Sequence, residues 1–97
     1  MYGTVARMRA KPGHAQAIVD MMNKWNRERR PNVKGVVGGY LLTPDDSPDE
    51  PVIVAIFADK ESYVANAQYP EQDRWFRQIR EHLEADPDWT DGEIIEA

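Results

Sequence analysis

The order strand, helix, strand occurs twice in this chain, around Val5 to Leu42 and around Val52 to Ile95, with no third element between or within them to cover what the pair exposes. Two such units give a four-stranded sheet with both helices on one face, so the opposite face is bare. The pattern therefore calls for a partner, and it leaves two places for function: the space beneath the helices and the surface where another copy packs. At 97 residues the chain is a single domain, residues 1–97. A domain of this size buries only about 60 to 65% of its unfolded surface, and dimerisation would add core.

Each element has its own signature. In Tyr2 to Arg9 the residues Tyr2, Thr4, Ala6 and Met8 alternate with Val5, Arg7 and Arg9, the period of a half-buried strand. Lys11-Pro12-Gly13 breaks that pattern, and a helix is expected from about His14 to Arg29 with Ala15, Ile18, Met21, Met22 and Trp25 as its apolar stripe. Lys24, Arg27, Arg29 and Arg30 complement the negative end of its dipole, and Pro31 stops it. Val33 to Leu42 reads as a strand whose Gly35, Gly38 and Gly39 mark a bulge or a close approach. Thr43 to Pro51 is a polar, acidic hairpin loop.

The unbroken apolar run Val52 to Phe57 reads as a strand covered on both faces, by the helices on one side and a partner on the other. Asp59 is placed to cap a helix over Lys60 to Ala67. Tyr69-Pro70 interrupts it, and a further segment, Glu71 to Glu84, carries the stripe Trp75, Phe76, Ile79 and Leu83. Trp89 to Glu96 completes the sheet.

Composition removes several functions. There is no cysteine, which excludes disulfides, thiolate metal sites and a cysteine nucleophile. The net charge of −5 argues against a nucleic-acid partner. No signal-like start or membrane-length apolar run is present, so a cytoplasmic protein with no membrane partner is expected. No metal motif, phosphate loop, dinucleotide fingerprint or nucleophile elbow occurs. Two histidines remain, the side-chain type whose unperturbed pKa lies near neutrality. On a helical wheel His82 falls near Trp75 and beside Ile79, which makes it the expected base at the edge of a pocket. A packed, hydrogen-bonded boundary histidine accounts for His82 more simply than a base does, and a helix start accounts for His14.

The whole chain has the ferredoxin-like α+β order βαββαβ, with a four-stranded antiparallel sheet. It also resembles the antibiotic biosynthesis monooxygenase-like domains. The resemblance lies in Lys11-Pro12-Gly13, in Gly35-Val36-Val37-Gly38-Gly39-Tyr40-Leu41-Leu42, in the acidic loop, and in Phe57-Ala58-Asp59-Lys60-Glu61-Ser62-Tyr63. It implies a homodimeric α+β barrel in which each subunit holds a cavity between its sheet and helices. It also implies a cofactor-independent monooxygenase acting on a small aromatic or polyketide-like substrate. The alternatives are a non-catalytic homodimer that binds a small hydrophobic ligand or serves in stress, and a haem-binding or haem-degrading protein.

The family's reactive residues transfer poorly. Its oxygenases pair an Asn with a Trp one turn on, whereas Asn66 is followed four residues later by Pro70, and the first strand lacks the Asn of the haem branch. The expected catalytic set is His82 with Tyr63 and Tyr69 as donors. The expected pocket is Trp75, Tyr40, Ile79 and Trp25, with Arg7 balancing an anion, and neither metal nor cofactor is called for.

Overall fold

A computed structural model describes residues 1–97. Its elements are β1 (Tyr2–Arg7), α1 (Ala15–Lys24), a π-helical turn (Trp25–Arg29) followed by a 3-10 turn (Arg30–Asn32), β2 (Val36–Leu42), β3 (Val52–Phe57), α2 (Lys60–Ala67), α3 (Pro70–Arg80) and β4 (Asp88–Glu93). The strands form one antiparallel sheet in the order β2-β3-β1-β4, the ferredoxin-like arrangement.

Local chemistry explains most of the boundaries. Gly13 has φ 81°, a left-handed conformation that a side chain resists, and it turns the chain from β1 into α1. Asp59 accepts a 2.8 Å hydrogen bond from the Ser62 amide, which satisfies a free donor of the first turn of α2. That bond also holds the Asp59 carboxyl below its ordinary range. Pro70 occupies the first position of α3, where its missing N–H costs nothing. Between Val36 and Gly38 the pairing of β2 with β3 shifts by one residue, the bulge that the glycines foreshadow.

The core lies between the sheet and the helices. Ala6 and Ile53 from the sheet meet Ile18 and Met22 of α1, Ile79 of α3, and Leu83 beyond it. Alternation assigns the other face without ambiguity. Val5, Val54 and Tyr40 are cross-strand neighbours there, as are Arg7, Val52 and Leu42. Val5, Val52, Val54 and Ile56 are half-buried, while Tyr40 and Leu42 remain 61% and 59% exposed. No helix covers this apolar face.

Two elements depart from the sequence expectation. The first helix does not run regularly to Arg29: Arg30 donates its backbone N–H to the carbonyl of Trp25, five residues back. Such a widened turn redirects every side chain after it. The helix expected to reach Glu84 ends at Arg80, because His82 and Leu83 donate to Ile79 and Arg80, three residues back, and tighten the chain into a turn.

Candidate functional site

A cavity of about 320 Å³ opens between the helix-facing side of the sheet and the surrounding helices. Thr4, Ile53, Ala55 and Phe57 form its floor, with Gly39 at one edge and Trp89 at the other. Its walls are Met22 and Trp25 from the end of α1 and the π-turn, Tyr63, Asn66 and Ala67 of α2, and Gln72, Asp73, Trp75 and Phe76 of α3. The volume is that of a small organic ligand, and the lining is apolar with a few polar groups, as binding cavities generally are.

The aromatic walls are fixed by their polar edges. The Trp25 indole N–H donates to Gln72 Oε1 at 3.0 Å, which pins the π-turn against α3. The Trp75 indole donates to the Met21 carbonyl at 3.3 Å, in the opposite sense. The two rings stand 6.3 Å apart at 58°. Phe76 and Trp89 pair at 5.8 Å, and Tyr63 meets the edge of Phe57 at 5.6 Å. Trp25 and Trp75 each have their single donor occupied, so those two rings offer the cavity apolar surface. Gly39 belongs to this surface too: a Cβ there would lie 3.2 Å from Met22 Cε and 3.6 Å from the Trp25 ring.

The polar groups differ in their freedom. The Tyr63 hydroxyl donates to Asp91 Oδ1 at 3.0 Å. Burial, reinforced by that bond, pushes its pKa up to about 12, so the phenol stays protonated through the neutral range. Thr4 donates to the Thr90 carbonyl at 3.2 Å. Asp73 forms a 2.8 Å ion pair with Arg77. Asn66 Oδ1 accepts from Arg29 Nη2 at 3.1 Å. No cluster of three or more His, Cys, Asp or Glu side chains is placed to hold a metal ion.

Of the residues expected from sequence, Trp25, Trp75 and Tyr63 line the cavity. The others lie elsewhere. His82 follows the end of α3, so the helical wheel no longer governs it, and its Nδ1 lies 2.9 Å from Nδ1 of His14 at the start of α1. One ring donates and the other accepts. Leu83, fully buried, fills the inward place. Ile79 is core beneath the helices, and Tyr40 points to the bare face. Arg7 lies at the end of the sheet in a polar groove with Glu84, Asp86 and Asp88. Tyr69, 57% exposed, precedes α3 and lies beneath the Arg29 guanidinium, 5.9 Å from it.

The sequence reading missed Phe57, Phe76, Trp89, Gln72 and Asp73 as lining residues. Trp89 had a signal: it pairs with Ala6, whose inward direction the alternation of β1 already fixed. Gln72 and Asp73 had none, because their position depends on how α3 packs across the sheet.

Fold and cavity together define a ferredoxin-like α+β domain with an aromatic, ligand-sized chamber under its helices. The chain belongs to the antibiotic biosynthesis monooxygenase family, whose model matches residues 1–78. Solved structures agree in fold. A protein of Caulobacter crescentus assigned by name to this family superposes with a TM-score of 0.85 at 12% identity, over 98% of this chain and 90% of that one. A similarly named protein of Deinococcus radiodurans gives 0.84 at 14% identity, over 100% and 95%. A conserved protein of Methanosarcina mazei gives 0.83 at 14% identity, over 94% and 89%. No functionally curated protein matches the sequence. At such identities the likeness extends to the fold. No helix is long and apolar enough to cross a membrane.

Proposed function

We propose that the chamber binds a small planar phenol or polyketide-like aromatic and that the protein monooxygenates it, the substrate itself supplying the electrons. The observation that carries this reading is the chamber walled by Trp25, Trp75, Trp89, Phe57 and Phe76, with a few polar side chains at its margin. Flat rings stack favourably on such walls. For a methylene flanked by aromatic rings, deprotonation gives an electron-rich carbanion that reduces dioxygen. Two C–H bonds break, one oxygen atom becomes the new carbonyl, and the other leaves as water. The carboxylate on the chamber wall is Asp73, which takes the proton in this scheme. Tyr63 is a neutral group lining the same chamber, able to donate to developing charge if it turns from Asp91.

Oxygen uptake with 1,8-dihydroxyanthrone tests the scheme. The wild type consumes one dioxygen per substrate, and Asp73→Asn slows uptake by about a hundredfold. Wild-type uptake at the protein-free rate would sink it.

One observation favours a binding-only reading: both histidines lie away from the chamber, paired with each other. Saturable binding of the anthrone without uptake would select that reading. The same position of the histidines leaves a haem in the chamber without an imidazole ligand, so nothing there favours the haem alternative.

The reading also includes a homodimer. The bare face carrying Tyr40, Leu42, Val54 and Ile56 is apolar, and a second copy of the same face packs two such sheets together.

A further inference from the structure

The chamber is lined by both phenylalanines of the chain, all three of its tryptophans and Tyr63, yet by none of its 12 Lys and Arg residues. Asp73 is the one charged side chain in the lining. The protein's own cations meet aromatic faces elsewhere: Arg29 lies over Tyr69 at 5.9 Å and Lys60 over Tyr2 at 5.7 Å, and neither ring belongs to the chamber. The rings inside keep their faces free of any positive group of the chain.

One end of the chamber gathers these features. Asp73 and Phe76 are three residues apart on α3, so they share a helix face. Phe76 packs with Trp89 of β4 at 5.8 Å and 49°, a tilt that leaves open the ring faces that parallel stacking would hide. The face of an aromatic ring is the negative part of its quadrupole, and a cation within about 6 Å of the ring centre is attracted to it, Trp giving the strongest attraction. Arg77 holds Asp73 Oδ2 from outside the chamber at 2.8 Å, and both members of that pair are more than half exposed. Water screens the pair, and the ring faces carry most of the attraction for a positive ligand. An ammonium rich in N–H groups needs acceptors, but the two amide oxygens at the chamber already accept, Gln72 Oε1 from Trp25 and Asn66 Oδ1 from Arg29. A methylated nitrogen is favoured.

We infer that the ligand of the chamber carries a positively charged, methylated nitrogen seated on the faces of Phe76 and Trp89, an inference that rests on the chamber being a ligand site. The substrate class narrows accordingly, to aromatics bearing a tertiary or quaternary ammonium. Oxygenation builds negative charge on the substrate, and no lining residue is positive to offset it. A substrate with its own cation supplies that offset.

Two phenols of the same shape test this, meta-trimethylammoniophenol and meta-tert-butylphenol, which differ by a charged nitrogen in place of a carbon. Each is titrated into ¹⁵N-labelled protein, and binding is read from the three indole N–H signals, all of which belong to the chamber. The wild type binds the cation about tenfold more tightly than its neutral twin, the worth of a partly desolvated cation–π contact. Added salt leaves most of that preference in place, because it screens attraction to the net charge of −5 far more than a contact with ring faces. Trp89→Leu keeps apolar bulk without a ring and loses most of the preference, and Trp89→Phe, which restores a ring face, regains part of it. Equal or weaker binding of the cation by the wild type overturns the inference and leaves the chamber as a ligand site. A preference that salt abolishes, or that Trp89→Leu retains in full, overturns it as well. If neither phenol moves the indole signals, the chamber reading fails and the inference fails with it.

Discussion

Tyr63 and His82 show how much a residue's chemistry depends on its surroundings. Tyr63 is one of four tyrosines, yet burial and the bond to Asp91 push it up to about 12. A phenol raised above its unfolded value near 10 favours the native state while it stays protonated. That contribution is fully present below about pH 10 and is lost as pH rises towards 12. Ultraviolet titration of the wild type should therefore show one late-ionising tyrosine, and Tyr63→Phe should remove that component. His82 is bonded to His14 and stands outside the chamber. His82→Ala should leave oxygen uptake unchanged and lower stability by about 1 kcal/mol, the worth of one hydrogen bond, measured by urea unfolding. A fall in uptake that exceeds the loss of folded protein would return His82 to the mechanism.

The elements were legible wherever a local signal set them. Val52 to Phe57 and Lys60 to Ala67 form the strand and helix expected of them, since an unbroken apolar run and an Asp cap act over a few residues. The π-turn and the early end of α3 were hidden, because periodicity marks a stripe without showing where the backbone widens or tightens. That gap displaced His82, whose expected direction assumed a regular helix to Glu84. Gly3 shows a tertiary demand inside a strand: a Cβ there would run into the Ala55 carbonyl oxygen and come within 2.8 Å of Ile94 Cδ1. Gly3→Ala should thus cost about 2 kcal/mol, in the range of overpacking a tight site, with β1 and β3 forced to shift. An unchanged denaturation midpoint would show that the strands absorb the methyl freely.

The whole molecule has a covered sheet face and an uncovered one. If the uncovered face is where two copies meet, a charge at its centre should separate them, since a desolvated and unpaired charge is costly. Val54→Lys should sediment as a monomer at micromolar concentration while the wild type sediments as a dimer. A monomeric wild type would remove the homodimer from the proposed function. The sequence by itself determined the element order, the two faces of the first strand and the family. These follow from periodicity, caps and turns, which act between neighbours in the chain. Only the tertiary structure decided that Trp25, Trp75, Trp89, Phe57 and Tyr63 enclose one chamber, that Arg29 bonds to Asn66, and that the histidines pair outside it. Those relations join residues 28 to 68 positions apart or set rings from different elements face to face, and they depend on how helices cross the sheet, which no local pattern encodes.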